Sequence, residues 1–459
     1  MQSQSPEWWR DLLLPRLQQQ DRTASYFQRY YDGLHPTYGV VTDKYRETFA
    51  GMLQAITDNW MQLVVDAEAE RMIVNGFRIG DDPKGDDAAH AMWQTSFMDA
   101  DSDIAHTTAL TCERSFALVS PPMNGDTYSK ITVEHPSQMI VACDPGDRRV
   151  RLAAMKQWKD EWTGGLHVTV YLPDRLYRWR QNDSSSQWSE MPGDPNPLGV
   201  VPVVPLLNRP NLFGGARSEL ANVISTQDQI NKLVCDLVVA SEYQAFRQRW
   251  GTGVEVAMDE ATGEESAPFK AAIDRMWAVP NADAKFGEFG SNDLTAYVNA
   301  LENRIQSLAS RSRTPPHYLL GGMGQFPSGE SLKATETGLI AKVRSQRRHF
   351  GESWEEVIRI GFKGQGDSRA DAVSAETIWA DPESRTESEH VDSLVKKLAL
   401  GVPLQQLWED AGYTPEQIKR FKAMAIDEAL TRAVAGAGVD PTAPVVPEPE
   451  PASADIVAQ

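Results

Sequence analysis

The chain has 459 residues, enough for about two to four domains and for a large core that needs no disulfides. Its net charge is −19, from 64 acidic and 45 basic residues, which excludes high-affinity DNA binding through many lysine and arginine contacts unless a local basic patch exists. Three cysteines lie far apart without a paired motif, so we expect small buried thiols rather than disulfides or a structural zinc site: Cys112, Cys143 and Cys235.

Two features bear on localisation. The N-terminal stretch has no basic leader, and Pro15 ends its short apolar run, so we expect no signal peptide and a protein that stays in the cytoplasm where it is made. No run approaches the roughly 18 apolar residues of a membrane span. The most apolar stretch, LGVVPVVPLL, contains Pro202 and Pro205, which permit only an edge strand or irregular extended structure.

Within the first 180 residues the predicted secondary structure changes from helix to strand. Apolar residues from Tyr45 to Met72 recur at three- and four-residue steps, which predicts helix with a stop at Gly76. A turn is predicted at 81–87, and a helical pattern resumes from Ala88 to Cys112. Short runs such as FALVS, KITVEH and HVTVYL then predict antiparallel strands between residues 115 and 180.

Two long helices that bracket a β-like insert are the main organising feature. The first is predicted from Ser218 to Ala240, and the second is predicted to open with Ser291 or Asn292 as N-cap and to end near Arg313 before two prolines. The insert at 245–290 is typical of a small αβ module. A third helix, from Ser331 to Phe362, would be about 48 Å long.

The C-terminal hundred residues divide into two parts. Helical patterning is predicted at 385–432, with a break at Gly401 to Pro403. From about Ala435 the chain is rich in Ala, Pro and Glu, which predicts disorder.

The stretch GQFPSGES at 324–331 imitates a phosphate-binding loop. Gly324, Gly329 and Ser331 are in register with that motif, but Glu330 replaces its lysine and the stretch follows a helix and two prolines rather than a strand. Nucleotide binding is therefore disfavoured. Glu330 instead indicates the start of a helix, where the dipole favours a carboxylate, with Ser328 or Ser331 beside it.

No other motif predicts catalysis or metal binding. DADSD at 99–103 has the spacing of a calcium loop but carries Ile104 and Leu110 where glycine and a bidentate glutamate are required, so a solvated helix face explains it better. There is no H-E-x-x-H and no G-x-S-x-G. We expect no enzyme activity, no cofactor and no metal.

A basic cluster, Arg344, Arg347 and Arg348, lies within about one turn of the third predicted helix. It has two interpretations, contact with phosphate or ion pairs to acidic neighbours or to another subunit.

Three ordered segments together resemble the portal proteins of tailed double-stranded-DNA phages, in particular the type common in long-tailed phages of actinobacteria. They begin YYDGLHPTYGVVTDKYRETF, RSELANVISTQDQINKLVCD and TPPHYLLGGMGQFPSGESLKATETG, and the resemblance covers roughly residues 25–365. It implies an α+β portal fold and a ring, usually of twelve copies, at one capsid vertex. Double-stranded DNA would enter through this ring, driven by the terminase, and leave through it at infection.

The resemblance also implies a domain order and a set of partners. The partners would be further copies of the chain, the major capsid protein and scaffold, the terminase large subunit, the head-to-tail adaptor, and DNA passing through without sequence specificity. The protein would end in the virion, with no membrane contact. The implied domains are an N-terminal wing (1–217), a stem helix (218–242), a clip (243–290), a second stem helix (291–311), a tunnel loop (312–330), a long wing helix and return (331–384), a crown (385–435) and a tail (436–459).

The implied channel residues belong to the tunnel loop. Its glycines would let each copy adapt to a duplex whose symmetry differs from that of the ring. An ordinary connection between helices is the alternative interpretation. The residues are Gly321, Gly322, Met323, Gly324, Gln325, Phe326 and Pro327.

Two other classes remain open from the residues alone. A nuclease or ATPase of DNA metabolism would need a phosphate loop or an assignable metal cluster, and the sequence offers neither. A scaffold or adaptor module would not need the three ordered segments.

Overall fold

The computed structural model describes residues 5–35, 57–80, 85–123, 125–182, 187–245, 249–253, 285–288, 293–319, 329–383 and 387–436, with isolated positions at 43, 44, 47, 51, 283 and 290. Helices and strands are interspersed, as the predicted α+β class requires. The helices are α1 Pro6–Tyr31, α2 Trp60–Ala69, α3 Asp87–Thr95, α4 Met98–Cys112, α5 Ile224–Ala245, α6 Thr295–Ser312, α7 Pro316–Leu319, α8 Gly329–Gln365, α9 Glu387–Ala399, α10 Leu404–Asp410 and α11 Pro415–Gly436. The strands are β1 Val74–Ile79, β2 Arg114–Ser120, β3 Lys130–Glu134, β4 Met139–Cys143, β5 Arg151–Lys159, β6 Leu166–Tyr171, β7 Leu176–Gln181, β8 Ser189–Met191, β9 Val203–Leu207, β10 Arg249–Thr252, β11 Lys285–Glu288 and β12 Ala375–Trp379.

The chain divides into two compact units, and each is described by itself. The first contains residues 1–70, 103–117 and 133–350. The second contains residues 71–102, 118–132 and 351–459.

The first unit has its core between helix α1 and an antiparallel sheet in the order β4-β5-β6-β7-β8. Helix α1 starts with Ser5, whose side chain accepts a hydrogen bond from the Trp8 backbone N–H, and with a proline at the first turn. Its Leu13 and Leu17 pack on Met155 and Val170, which are cross-strand partners in β5 and β6. Complete burial of each leucine stabilises the unit by about 1.5–3 kcal/mol.

Strand β9 contains Pro205 and lies at the edge of a three-stranded sheet in the order β3-β2-β9. A proline has no N–H to donate to a neighbouring strand, so only an edge or bulge position tolerates it. The prediction of an edge or irregular strand for this stretch is confirmed.

The two helices on either side of the insert start later than predicted. Helix α5 starts at Ile224, six residues later than predicted, because Leu220–Asn222 forms a separate 3-10 turn. Helix α6 starts at Thr295, after an N-cap position at Leu294 with no side-chain cap, so neither Ser291 nor Asn292 is its N-cap. Within the insert, β10 and β11 pair antiparallel. Most of its remaining residues, and the tail from 437 onward, lie outside the described ranges.

The second unit has an aromatic core. The ring of Trp93 meets Phe77 and Trp354 edge-to-face, with centroids 5.1 Å apart in both pairs. Beside this core, β1 and β12 pair antiparallel across nearly 300 residues of sequence.

The helix predicted to stop at Gly76 actually ends at Ala69, and Gly76 lies inside β1. Its backbone is paired with Ile378. A side chain at this position would come within 3.0 Å of Pro415, so the glycine serves a close approach inside the second unit rather than a helix end.

The helical pattern predicted from Ala88 to Cys112 forms two helices, α3 and α4. They are separated at Ser96 and Phe97, and Phe97 has a left-handed φ of 58°. The DADSD stretch lies in the first turns of α4, as the solvated-helix interpretation predicted.

The C-terminal helices α9 and α10 are separated at the predicted break. Gly401 has φ of 90°, a conformation that side-chain-bearing residues rarely adopt. A further break, at Gly412 with φ of 88°, precedes α11.

Candidate channel site

The seven predicted channel residues, Gly321 to Pro327, lie outside the described residues, so their position stays a prediction. The structure does describe both flanks of this segment. Helices α6 and α7 precede it, and the long helix α8 follows it from Gly329. Glu330 is therefore in the first turn of α8.

The flanks are held to each other by side chains. The Tyr318 hydroxyl donates to Glu336 Oε1 at 3.0 Å, and His317 Nε2 lies 3.7 Å from the same oxygen. Before them, α6 ends at Ser312, and its C-cap residue Arg313 has a left-handed φ of 59°, which turns the chain out of the helix. The segment 320–328 thus starts and ends on elements in mutual contact.

Helices α5 and α6 run antiparallel in the first unit. Arg311, near the end of α6, reaches Thr226 Oγ1 at 3.4 Å, near the start of α5. One to two turns along the pair, Arg304 reaches Gln229 Oε1 at 3.3 Å. The start of α5 and the end of α6 therefore lie together at one end of the pair.

The start of α5 is fixed by buried amides. Gln227 donates to the Asp58 carbonyl at 2.6 Å and accepts from the Trp60 N–H at 3.1 Å. Asn231, one turn later, accepts from the Asp58 N–H at 3.2 Å. Both amides are 0% exposed, so these bonds satisfy polar groups that burial would otherwise leave unpaired.

A buried charge cluster lies where α8 meets the end of α6. Lys342 of α8 donates to the carbonyl of Ser312, the last residue of α6, at 2.9 Å. Its ammonium also pairs with Glu68 and, at 2.7 Å, with Glu219. The three charged side chains are at most 3% exposed. We call Glu68, Glu219, Ser312 and Lys342 the Lys342 junction.

Further polar groups surround Glu219. Arg209 binds its carboxylate with two nitrogens, at 2.5 and 2.7 Å, in the fork geometry that suits a guanidinium. Asn208 donates to Glu219 at 3.0 Å, and Gln346 of α8 donates to it at 2.8 Å. The junction thus connects α2, the loop before α5, the end of α6 and α8.

The pKa values of the two junction carboxyls are shifted in opposite directions. Burial raises the pKa of Glu68 to about 7, against the attraction of Lys342 and with the help of the nearby Glu219 charge. Burial would also raise the pKa of Glu219, but the charges of Lys342 and Arg209 outweigh burial and hold it below its ordinary value. Glu219 is therefore the permanent anion of the pair, and Glu68 is the carboxyl that gains a proton near neutrality.

The predicted arginine cluster does not lie on one surface. Arg344 and Arg348 are exposed, whereas Arg347 is only 7% exposed. A contact between Arg347 and phosphate would require its side chain to leave this position. The role of all three in binding phosphate or another subunit stays a prediction.

Sequence reasoning missed the Lys342 junction. Its members come from four distant parts of the chain, and no spacing pattern links them. One local signal was present. Lys342 lies between Leu339 and Val343 on the buried stripe of the long helix, where a lysine needs a buried partner.

The described residues contain no group of three or more His, Cys, Asp or Glu side chains placed to hold a metal ion. No helix in the same part of the chain is long and apolar enough to cross a membrane. The three cysteines form no disulfide; Cys112 and Cys235 are buried as predicted, while Cys143 is half-buried.

Comparison with known proteins identifies the class. A family model described as phage portal protein, SPP1 Gp6-like, matches residues 13–429. The chain therefore belongs to the SPP1 Gp6-like family of phage portal proteins. It is similar to the portal protein of Mycobacterium phage L5, at 31% identity over 408 residues, 84% of this chain and 83% of the relative. The portal protein of Mycobacterium phage D29 is 30% identical over the same extent.

Proposed function

We propose that this chain forms a dodecameric ring at one vertex of a phage capsid and that double-stranded DNA is packaged and ejected through the ring. The observation that carries the proposal is the family match over residues 13–429. Under this proposal the protein has no catalytic activity. It assembles in the host cytoplasm and becomes a virion component.

Each region has a role in this proposal. Helices α5 and α6 are the stem, the insert at 243–290 is the clip where the terminase large subunit and later the head-to-tail adaptor dock, and 385–435 is the crown. The wing is residues 1–217, and the major capsid protein and scaffold are further partners of the ring. The antiparallel α5/α6 pair supports this assignment because it carries the insert at one end and the Lys342 junction at the other.

The channel is proposed to be narrowest at Gly321 to Pro327. The described flanks support this because they hold both ends of the segment on contacting elements, so that its glycines can move while its ends stay fixed. The net charge of −19 has a place in the same proposal. An acidic wall repels the phosphates and lets a duplex slide, whereas many lysine contacts would retain it.

Microscopy of the purified full chain tests the ring. Negative-stain images should show rings with a central hole, and light scattering should give a mass of about twelve chains. A monodisperse monomer that hydrolyses ATP or cuts DNA would contradict the proposal and favour an enzyme of DNA metabolism. A strongly positive channel in a ring structure would refute the sliding argument alone.

Alanine substitutions test the loop. The triple variant Gly321→Ala/Gly322→Ala/Gly324→Ala should form rings normally but should package less DNA, because the loop loses backbone freedom. Gly338→Ala is the matched control, since it adds a methyl group to α8 where no other atom lies within 4 Å. Normal packaging by the triple variant would refute the role of the loop.

A further inference from the structure

Residues 208–217, sequence NRPNLFGGAR, form a loop with a closed base. The Arg217 N–H donates to the Asn208 carbonyl at 2.9 Å, and the Asn208 side chain donates to the Arg217 carbonyl at 2.8 Å. Asn208 is 0% exposed and is bound to Glu219 of the Lys342 junction. The 208–217 loop is thus anchored in the interior of the first unit.

The tip of the 208–217 loop is equally fixed. The Asn211 side-chain oxygen accepts from the N–H groups of Phe213 and Gly215 at 2.9 and 3.0 Å, and the Asn211 N–H donates to the Gly215 carbonyl at 2.9 Å. Gly214 has φ of 77°, which few other residues adopt. From the neighbouring turn, Arg148 donates to the Asn211 carbonyl at 2.7 Å.

This fixed tip points two large apolar side chains into solvent. Leu212 is 87% exposed and Phe213 is 99% exposed. Exposed leucines are common singly, but an adjacent leucine and phenylalanine on a turn with this many hydrogen bonds form a pre-organised contact that has already lost its conformational entropy. Aromatic side chains, phenylalanine among them, are also enriched in protein interfaces.

The charge of the 208–217 loop itself is opposite to that of the chain. The loop contains Arg209 and Arg217 and no acidic residue, whereas the adjoining turn carries Asp144 and Asp147 as well as the exposed Arg148 and Arg149. Arg209 is paired with Glu219, while the other three side chains are available at the surface or bind uncharged groups. An apolar tip on a loop that contains arginines and no acidic residue fits an acidic protein surface, which a chain of net charge −19 offers.

We propose that the 208–217 loop is a contact between copies of this chain, in which Leu212 and Phe213 insert into the adjacent copy and the arginines face its acidic surface. The inference rests on the proposed ring, where each copy presents one surface to the next in head-to-tail order. The net charge of the chain itself supplies the acidic partner. Duplex DNA fits less well, because leucine and phenylalanine could enter it only as wedges between base pairs, which costs the energy of unstacking, and because a chain of net charge −19 repels its phosphates.

The test compares two full-length variants with the wild type by light scattering and negative stain. Leu212→Ser/Phe213→Ser should raise the concentration needed for ring formation at least tenfold, with an unchanged thermal melt because both side chains are exposed. Trp162→Ser is the matched control, since this tryptophan is 95% exposed on another turn of the same unit. It should assemble like the wild type.

The outcomes separate the two proposals. Absence of rings in the wild type would overturn the ring and the inference that rests on it. Rings in the wild type and equally in the double variant would overturn the inference alone.

A photo-crosslinker at position 213 adds a direct readout. In wild-type-like rings it should give a product of two chains. Crosslinks only to DNA or to a capsid protein in assembled particles would overturn the contact between copies.

Discussion

Replacement of Lys342 by methionine should destabilise the first unit strongly. Methionine fills a similar volume but offers no charge to Glu68 and Glu219 and no donor to the Ser312 carbonyl. The lysine side chain is 3% exposed and the carboxylates are 0% and 2% exposed, so water cannot substitute for it. Removal of one partner from a buried ion pair costs about 3–5 kcal/mol, and we expect a loss in that range at pH 8.

Denaturant titration of the full chain, followed by tryptophan fluorescence, measures this loss as a shift in the transition midpoint. The loss should shrink at pH 5, because the buried Glu68, whose pKa is already raised, becomes neutral by binding a proton, while Arg209 still balances the charge of Glu219. Arg432→Met is the control. It breaks an exposed pair with Glu428, one helical turn away, and should change stability by only about 0.3–0.5 kcal/mol.

The pH dependence distinguishes this mechanism from a packing defect. If Lys342→Met costs less than about 1 kcal/mol at pH 8, the junction carboxyls are not charged as described. If the loss is large but equal at pH 5 and pH 8, lost packing rather than uncompensated charge is its cause, and the electrostatic reasoning is wrong.

Two further predictions concern stability. The pKa of Glu68 is raised from 4.5 to about 7 in the folded chain, so its contribution to stability is fully present below pH 4.5 and is lost as pH rises through 7. Glu68→Gln should remove this pH-dependent part of the stability from a series of thermal melts between pH 5 and 8. An unchanged pH profile would contradict the prediction. Gly361→Ala should destabilise the second unit by about 1–3 kcal/mol, because the new methyl group would overlap the buried Met92 side chain. Gly338→Ala, in the open part of the same helix, should instead stabilise the folded chain by about 0.4–1 kcal/mol. Equal melting temperatures for the two variants would refute the packing argument.

The sequence predicted the helices and strands well where the spacing of apolar residues and the residues that begin or end an element agree. The long helix was predicted from Ser331 to Phe362 and spans Gly329–Gln365, because its apolar stripe and its acidic start are properties of neighbouring residues. The edge position of β9 was predictable for the same reason, because Pro205 lacks a backbone N–H whatever residues surround it.

Long-range pairing was not predictable in this way. Strand β1 follows a helical pattern in sequence, and its partner β12 lies nearly 300 residues away, so tertiary pairing overrides the local preference around Gly76. The Lys342 junction is similar. Glu68 and Glu219 carry no sign in sequence that they meet a lysine of the long helix. The resemblance, rather than the residues alone, led to the family.

The hydrogen bonds of Gln227, Asn231 and Lys342 lie at one end of the antiparallel α5/α6 pair, and we call this end the root. The insert joins the two helices at the other end. Neighbouring packed helices are about 8–10 Å apart, so any insert whose two ends meet at that spacing could be joined to the pair. The entropy of closing a longer connection rises only with the logarithm of its length, by about 0.6 kcal/mol per doubling. Because the hydrogen bonds of Gln227, Asn231 and Lys342 all lie at the root, a change in the sequence or length of the insert would leave these bonds in place.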